Sequence, residues 1–258
     1  MNAATPPNRS VSTFFVLLFA CSLPFWLIGA LTGLRLSPGL PVSALMFVCP
    51  ATAASILVYR ANRTAGLREL LRRSFDYARI RSKVWIVPTL LVTPGTTIVT
   101  YALLRAMGLP LPSPQFPIVA ALAIFAVGFV AALGEELGWS GYAIDPLQDR
   151  WNALAAAVLV GLVWAIWHWV PLIQAHRSPA WIAWWSLGTV ARRVLIVWLY
   201  NNTGRSVFAA ALFHDMSNVS WQLFPISGSH WDPRMDGLIT AFAAAIVIGV
   251  WGPRTLTR

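Results

Sequence analysis

The sequence holds only three glutamates, Glu69, Glu135 and Glu136, and two of them are adjacent inside the apolar run AIFAVGFVAALGEELGW. Of the four histidines, His168 lies in GLVWAIWHWVP and His214 in VFAAALFHDMSN, while His176 and His230 fall between apolar runs and read as surface residues. Ionisable groups at membrane depth are expensive and usually functional. A helix ending at Gly134 would instead leave the glutamates among lipid headgroups, and a lone apolar-helix histidine is more often a packing residue. A carboxylate pair and two such histidines on three separate apolar segments shift the balance toward one shared site.

Spacing adds to this. His214 and Asn218 are four apart and share a helix face, as do Trp164 and His168. The Asn218 amide can both donate and accept. A carboxylate, two imidazoles and an amide form a hydrolytic set. The carboxylate takes a proton from water, and the others donate to the oxyanion or, for the imidazoles, hold a metal. The tryptophans around them (Trp139, Trp164, Trp167, Trp169) would lower the local dielectric, unless they form an interfacial aromatic belt.

These residues must be carried by membrane spans. The chain has 258 residues, 57% hydrophobic and 11% charged, with mean hydropathy +0.65. So few charges cannot cover a soluble surface, and so much apolar content excludes disorder. Cys21 and Cys49 sit in apolar runs and imply no disulfide framework. The net charge of +10 lies on arginines between apolar segments, which a topological charge bias explains without nucleic acid. Eight stretches are apolar and long enough to span: 12–34, 42–59, 84–105, 117–139, 152–171, 180–200, 205–222 and 236–252. The first is too long for a signal peptide core and is expected to stay as a span. The expected fold is an all-α polytopic membrane protein of about eight transmembrane helices with a membrane-embedded polar site. It forms a single integral membrane domain over 1–258, with its motif-bearing core at 117–222.

Residues 60–83 carry Arg60, Arg63, Arg68, Arg72, Arg73, Arg79, Arg81 and Lys83 against Glu69 and Asp76. The positive-inside rule makes this loop cytoplasmic. Eight spans then put both termini in the cytoplasm, in line with Arg9, Arg254 and Arg258. The expected location is a bacterial plasma membrane. Leu67, Leu70, Leu71 and Phe75 recur at helical spacing, so the loop is expected to hold a basic amphipathic helix on the anionic leaflet, with packing against the bundle as the alternative.

In these residues the sequence resembles the CAAX prenyl protease 2 and bacteriocin-processing family (CPBP or Abi) of intramembrane peptidases. That family shows the motifs EExxxR, FxxxH and HxxxN or HxxxD. Here they read Glu135-Glu136-Leu-Gly-Trp-Ser140, Trp164-Ala-Ile-Trp-His168 and His214-Asp-Met-Ser-Asn218. The flanking GWSGYAIDPLQ and NNTGRSVFAAALFH are also similar. The resemblance covers roughly residues 117–222. It implies proteolysis in the membrane, with Glu135 activating a water and His168, His214 and Asn218 completing the site. The family has been described as metal-dependent and also as glutamate-dependent without a catalytic metal. Glu135, His168 and His214 could ligate Zn2+, or act with no cofactor as base and oxyanion donors. Ser140 replaces the motif arginine, so Glu136 needs another partner. Arg192 and Arg193 lie in an apolar segment, and one of them could reach Glu136, or both could snorkel to the interface.

Three functions follow as expectations. The first is an intramembrane endopeptidase acting on a peptide or lipid-modified protein near the cytoplasmic face. The second is a non-catalytic scaffold, immunity or regulatory protein of the same fold, for which Ser140 speaks. The third is a transporter with Glu135 and Glu136 as a proton relay, against which the missing half-repeats speak. The expected partners are the lipid bilayer and the substrate, and no nucleic acid.

Overall fold

The computed structural model describes residues 10–37, 39–226, 228 and 231–258. Arg9, an expected cytoplasmic charge, and His230, an expected surface histidine, lie outside them. Helix α1 (Val11–Thr32) starts at Ser10, whose Oγ accepts from Thr13 N, and stops at Gly33, whose φ of 62° few other residues adopt cheaply. A small antiparallel pair follows, β1 (Arg35–Ser37) and β2 (Leu40–Pro41), which the all-α expectation did not contain.

Helix α2 (Cys49–Arg72) is broken at Asn62 and at Arg63, which takes φ 52° and ψ −144°. After the break the chain folds back. A Cβ on Gly66 would lie 2.7 Å from the carbonyl oxygen of Val58, so only glycine allows that approach. The helix expected in the 60–83 loop is therefore the last part of α2. Leu70 turns into the core, whereas Leu71 and Phe75 are 50% and 65% exposed. One row of that leucine pattern packs on the bundle and the other faces outward.

Helix α3 (Ile86–Ala106) buries Thr89, Thr93, Thr97 and Thr100. The hydroxyls of Thr89, Thr97 and Thr100 donate to carbonyls one turn back, so no partner outside the helix is needed for them. Helix α4 (Ile118–Gly138) passes through a π-turn (Trp139–Ala143) into α5 (Ile144–Arg150). The remaining helices are α6 (Ala153–Gln174), α7 (Pro179–Asn202), α8 (Val207–Leu223) and α9 (Pro233–Trp251).

Among the described residues seven helical stretches are long and apolar enough to cross a membrane. They correspond to seven of the eight expected spans. The eighth, 205–222, forms α8, which at 17 residues rises about 26 Å and falls short of a hydrocarbon core of about 30 Å. Helix α8 is central instead. It packs on α3, α4 and α7, and Phe116–Phe224 and Phe129–Phe208 ring contacts at opposite ends show that it runs antiparallel to α4. Helix α7 lies between α6 and α9.

The expected end of the fourth span at 139 is wrong by about ten residues. The helical run 118–150 continues past Glu135, so Glu135 lies fifteen residues before its end. His168 lies sixteen residues after Asn152, the N-cap of α6. At 1.5 Å per residue the two sit about 22–24 Å from the same turn, and they meet at one depth.

Close helix approach here depends on small residues, as is general in membranes. A Cβ on Gly138 would lie 2.6 Å from both the Cβ and the carbonyl oxygen of Pro50. Gly138→Val should therefore force α2 off α4, at a cost of about 1–3 kcal/mol. A lowered thermal midpoint in detergent checks this, and an unchanged midpoint would show that the contact yields freely.

Candidate active site

Two carboxylates on successive residues of α4 point to different neighbours. Glu136 is fully buried, and its oxygens are surrounded by donors. Arg193 of α7, 1% exposed, binds it in a fork, Nη1 to Oε2 at 2.8 Å and Nη2 to Oε1 at 2.9 Å. Ser140 Oγ donates to Oε2 at 2.5 Å, and His214 Nδ1 stands 3.1 Å from Oε1. An ionised carboxylate only accepts, so His214 carries its hydrogen on Nδ1. Arg193 therefore supplies the partner that Ser140 does not. Arg192 does not reach the pair; it binds Asp236 of α9 at 2.9 Å. Neither arginine snorkels, since both side chains are largely buried.

Glu135 is the freer of the two. Its Oε2 accepts from Trp164 Nε1 at 2.6 Å and from Trp139 Nε1 at 3.4 Å. Its Oε1 faces His168 Nε2 across 4.0 Å. His168 Nδ1 lies 2.9 Å from the carbonyl oxygen of Trp164, which can only accept. The hydrogen is thus on Nδ1, and Nε2 presents a lone pair toward Glu135. Rings of Trp164, Trp167 and Trp185 enclose the imidazole of His168. Trp164 also meets the His214 ring, with centroids 5.0 Å apart.

The structure thus brings Glu135, Glu136, Ser140, Trp164, His168, Arg193 and His214 together. Asn218 lies one turn beyond His214 on α8, half-buried, and makes no side-chain hydrogen bond among the described residues. The tryptophans split between the two readings. Trp139 and Trp167 are buried in the core and contact each other, while Trp169 is an exposed residue that bonds Ser186. His176 is exposed in a turn. Among the described residues no three His, Cys, Asp or Glu side chains form a metal-ligand group. Each imidazole has its Nδ1 on a protein acceptor, so Glu135 Oε1, His168 Nε2 and His214 Nε2 are the atoms that these three would offer to a metal.

A π-turn follows the pair within one helical turn. Such turns insert one residue into a helix and leave a carbonyl in need of a donor. Arg73 of the basic loop reaches in, giving Nη1 to Gly141 O at 2.8 Å and Nη2 to Tyr200 Oη at 2.7 Å and to Arg205 O at 2.9 Å. Tyr200 donates on to Asp145 at 3.0 Å. Asp76 caps α8, accepting from Ser206 Oγ at 2.7 Å and from the amides of Val207 and Phe208. The sequence reading counted Arg73 only as a topological charge. Nothing in its spacing announced a buried role.

Asp215 was also passed over. It is fully buried beside His214, and neither oxygen has a hydrogen-bond partner. It fits only because Gly128 opposite lacks a Cβ, which would collide with Oδ1. The two buried acids predict opposite outcomes. Glu136→Gln leaves Arg193 buried and uncompensated and should cost about 3–5 kcal/mol. Asp215→Asn replaces an uncompensated carboxyl with a neutral amide of the same shape and should be neutral or stabilising, by up to about 1–3 kcal/mol. Thermal midpoints of the two variants in one detergent test the contrast, which fails if both fall equally.

Two comparisons bear on this geometry. The family described as type II CAAX prenyl endopeptidase Rce1-like matches residues 114–220, which contain all of the site residues above except those of the basic loop. A CAAX prenyl protease 2 from Methanococcus maripaludis is 26% identical over 220 residues, covering 78% of each chain.

Proposed function

We propose that this membrane protein, whose residues 114–220 match the Rce1-like CAAX prenyl endopeptidase family, is an intramembrane endopeptidase whose general base is Glu135. The observation that carries the reading is the 4.0 Å gap between Glu135 Oε1 and His168 Nε2. Both atoms are acceptors, and the separation suits one bridging water. Such a water gives one hydrogen to each and turns its lone pair outward.

The steps follow from that placement. Glu135 takes the water's proton as its oxygen bonds to the peptide carbonyl carbon. The carbonyl becomes an oxyanion, to which the Asn218 amide on α8 donates; His214 adds a second donor at Nε2 only as an imidazolium, with Nδ1 still on Glu136. The C–N bond then breaks, and the proton held on Glu135 passes to the leaving nitrogen, giving a carboxylic acid and an amine. Trp164, Trp167 and Trp185 limit bulk water at the base, where hydrogen bonds act more strongly than in solvent. Glu136 is fully engaged by four donors and serves to hold His214 rather than to react.

The substrate class we assign is a peptide or lipid-modified protein presented from the bilayer. The charge excess of the 60–83 loop favours the cytoplasmic side for that loop and for cleavage. The main support for a non-catalytic relative was the missing motif arginine. Arg193 weakens it by supplying a guanidinium to Glu136.

The test is cleavage in liposomes of a prenylated CAAX-terminal peptide, the substrate type in the relative's name, beside an unmodified membrane-proximal peptide. Glu135→Gln should lose about 10²–10⁴-fold in kcat, and Asn218→Ala about 10²–10³-fold. Wild-type cleavage that survives Glu135→Gln would remove Glu135 from the role of base.

A further inference from the structure

Two positions depart from the family pattern: Ser140 stands where it has arginine, and Trp164 where it has phenylalanine. In the fold these two departures meet. Trp164 Nε1 donates to Glu135 Oε2 at 2.6 Å, and the guanidinium carbon of Arg193 lies 4.3 Å from the centroid of the same indole ring. The guanidinium also forks onto Glu136. A phenyl ring at 164 has no hydrogen to give a carboxylate, and its face holds a cation less well than indole does. Arg193 and Trp164 are both nearly fully buried, so neither contact is shared with solvent.

We propose that Trp164 and Arg193 form one positioning unit that replaces the family's phenylalanine and arginine, orienting Glu135 through the indole and Glu136 through the guanidinium. The inference rests on the peptidase reading for its kinetic consequences. Its physical core does not. Glu136 needs a fixed cation in a low-dielectric interior, and that cation arrives from α7 instead of from the next turn of its own helix. Two features make the exchange fit. Ser140 is short and fills the remaining lone pair of Glu136 Oε2 without occupying the space that Arg193 uses. Gly161 of α6 lets α7 approach, since a Cβ there would lie 3.0 Å from Val190 Cα and 3.2 Å from Arg193 Cβ.

The indole then decides which carboxylate oxygen is spent. Oε2 of Glu135 is held by Trp164 and Trp139, and Oε1 is left for the water facing His168. Trp164 and Arg193 touch no substrate atom in this account. They act through the two glutamates, so their loss should fall on kcat and spare KM.

The experiment uses the full chain in liposomes and in detergent, with kcat, KM and thermal midpoint measured for Trp164→Phe, Arg193→Lys, Arg193→Ser, Ser140→Arg and the exchange Ser140→Arg/Arg193→Ser. Trp164→Phe should lower kcat about 10–100-fold with KM within about twofold, the loss of one charge-assisted hydrogen bond. Arg193→Ser should lower kcat at least as far and drop the midpoint. Arg193→Lys should lie between it and wild type, because an ammonium cannot fork. The exchange should recover most of both losses. Wild-type kcat in Trp164→Phe or in Arg193→Ser overturns the proposal, as does an exchange no better than Arg193→Ser in both readouts. If wild type cleaves neither peptide, the peptidase reading fails separately. The midpoints still decide whether position 140 and Arg193 are interchangeable, and a midpoint left at the Arg193→Ser level overturns that.

Discussion

One carboxylate organises the interior. Glu136 takes a fork from Arg193, a hydroxyl from Ser140 and an imidazole N–H from His214, all without solvent. Burying two charges costs several kcal/mol each, and only near-complete hydrogen bonding returns it. That requirement sets the packing. Helices α4, α7 and α8 must meet at one point, and Arg193 must lie under α6, where Gly161 leaves room and Trp164 covers the cation. The neighbouring Glu135, one residue earlier on the same helix, is then turned about 100° away toward α6 and His168.

A second set of polar contacts fixes the other side of the π-turn. Arg73 ties the 141 carbonyl to the end of α7 through Tyr200 and Arg205 O, and Asp76 seals the start of α8. The segment around 73–76 is thus a plug between helix ends rather than a tether on the surface. It explains how α8 can be shorter than a bilayer. Its first turn ends against protein groups that satisfy its amides, so it needs no lipid or water there. The apolar residues of the outer helices do the reverse and face outward along their length.

Most of the site could be read from the sequence for one reason: polar residues are so rare in the apolar segments that Glu135, Glu136, His168 and His214 stand out. What was hidden had physical causes. The turn after Gly138 does not end the helix, because Trp139, Tyr142 and Ala143 continue the apolar pattern while the backbone changes pitch, so the fourth span was cut short. Arg193 lies 57 residues from Glu136, and no periodicity links α7 to α4; a partner from somewhere was legible, its identity was not. Arg73 looks like every other arginine of its loop until the fold puts Gly141 beside it. Asp215 hid behind His214, and only the missing side chain at Gly128 shows that it faces inward. The apolar length of 205–222 announced α8 but not that α3, α4 and α7 would pack around it.

The distance in sequence between Glu136 and Arg193 also bears on how the protein is made. The two leave the ribosome 57 residues apart, so α4 is complete before any of α7 has been synthesised. On the translocon scale an unpaired acid at mid-helix adds about 2.5–3.5 kcal/mol to insertion, and an arginine a similar amount. The apolar length of α4 carries its glutamates into the bilayer ahead of their cation. Helix α7 then brings the arginines in with its own apolar residues. The Glu136–Arg193 pair can therefore form only once α7 has been made and has brought its arginine to α4.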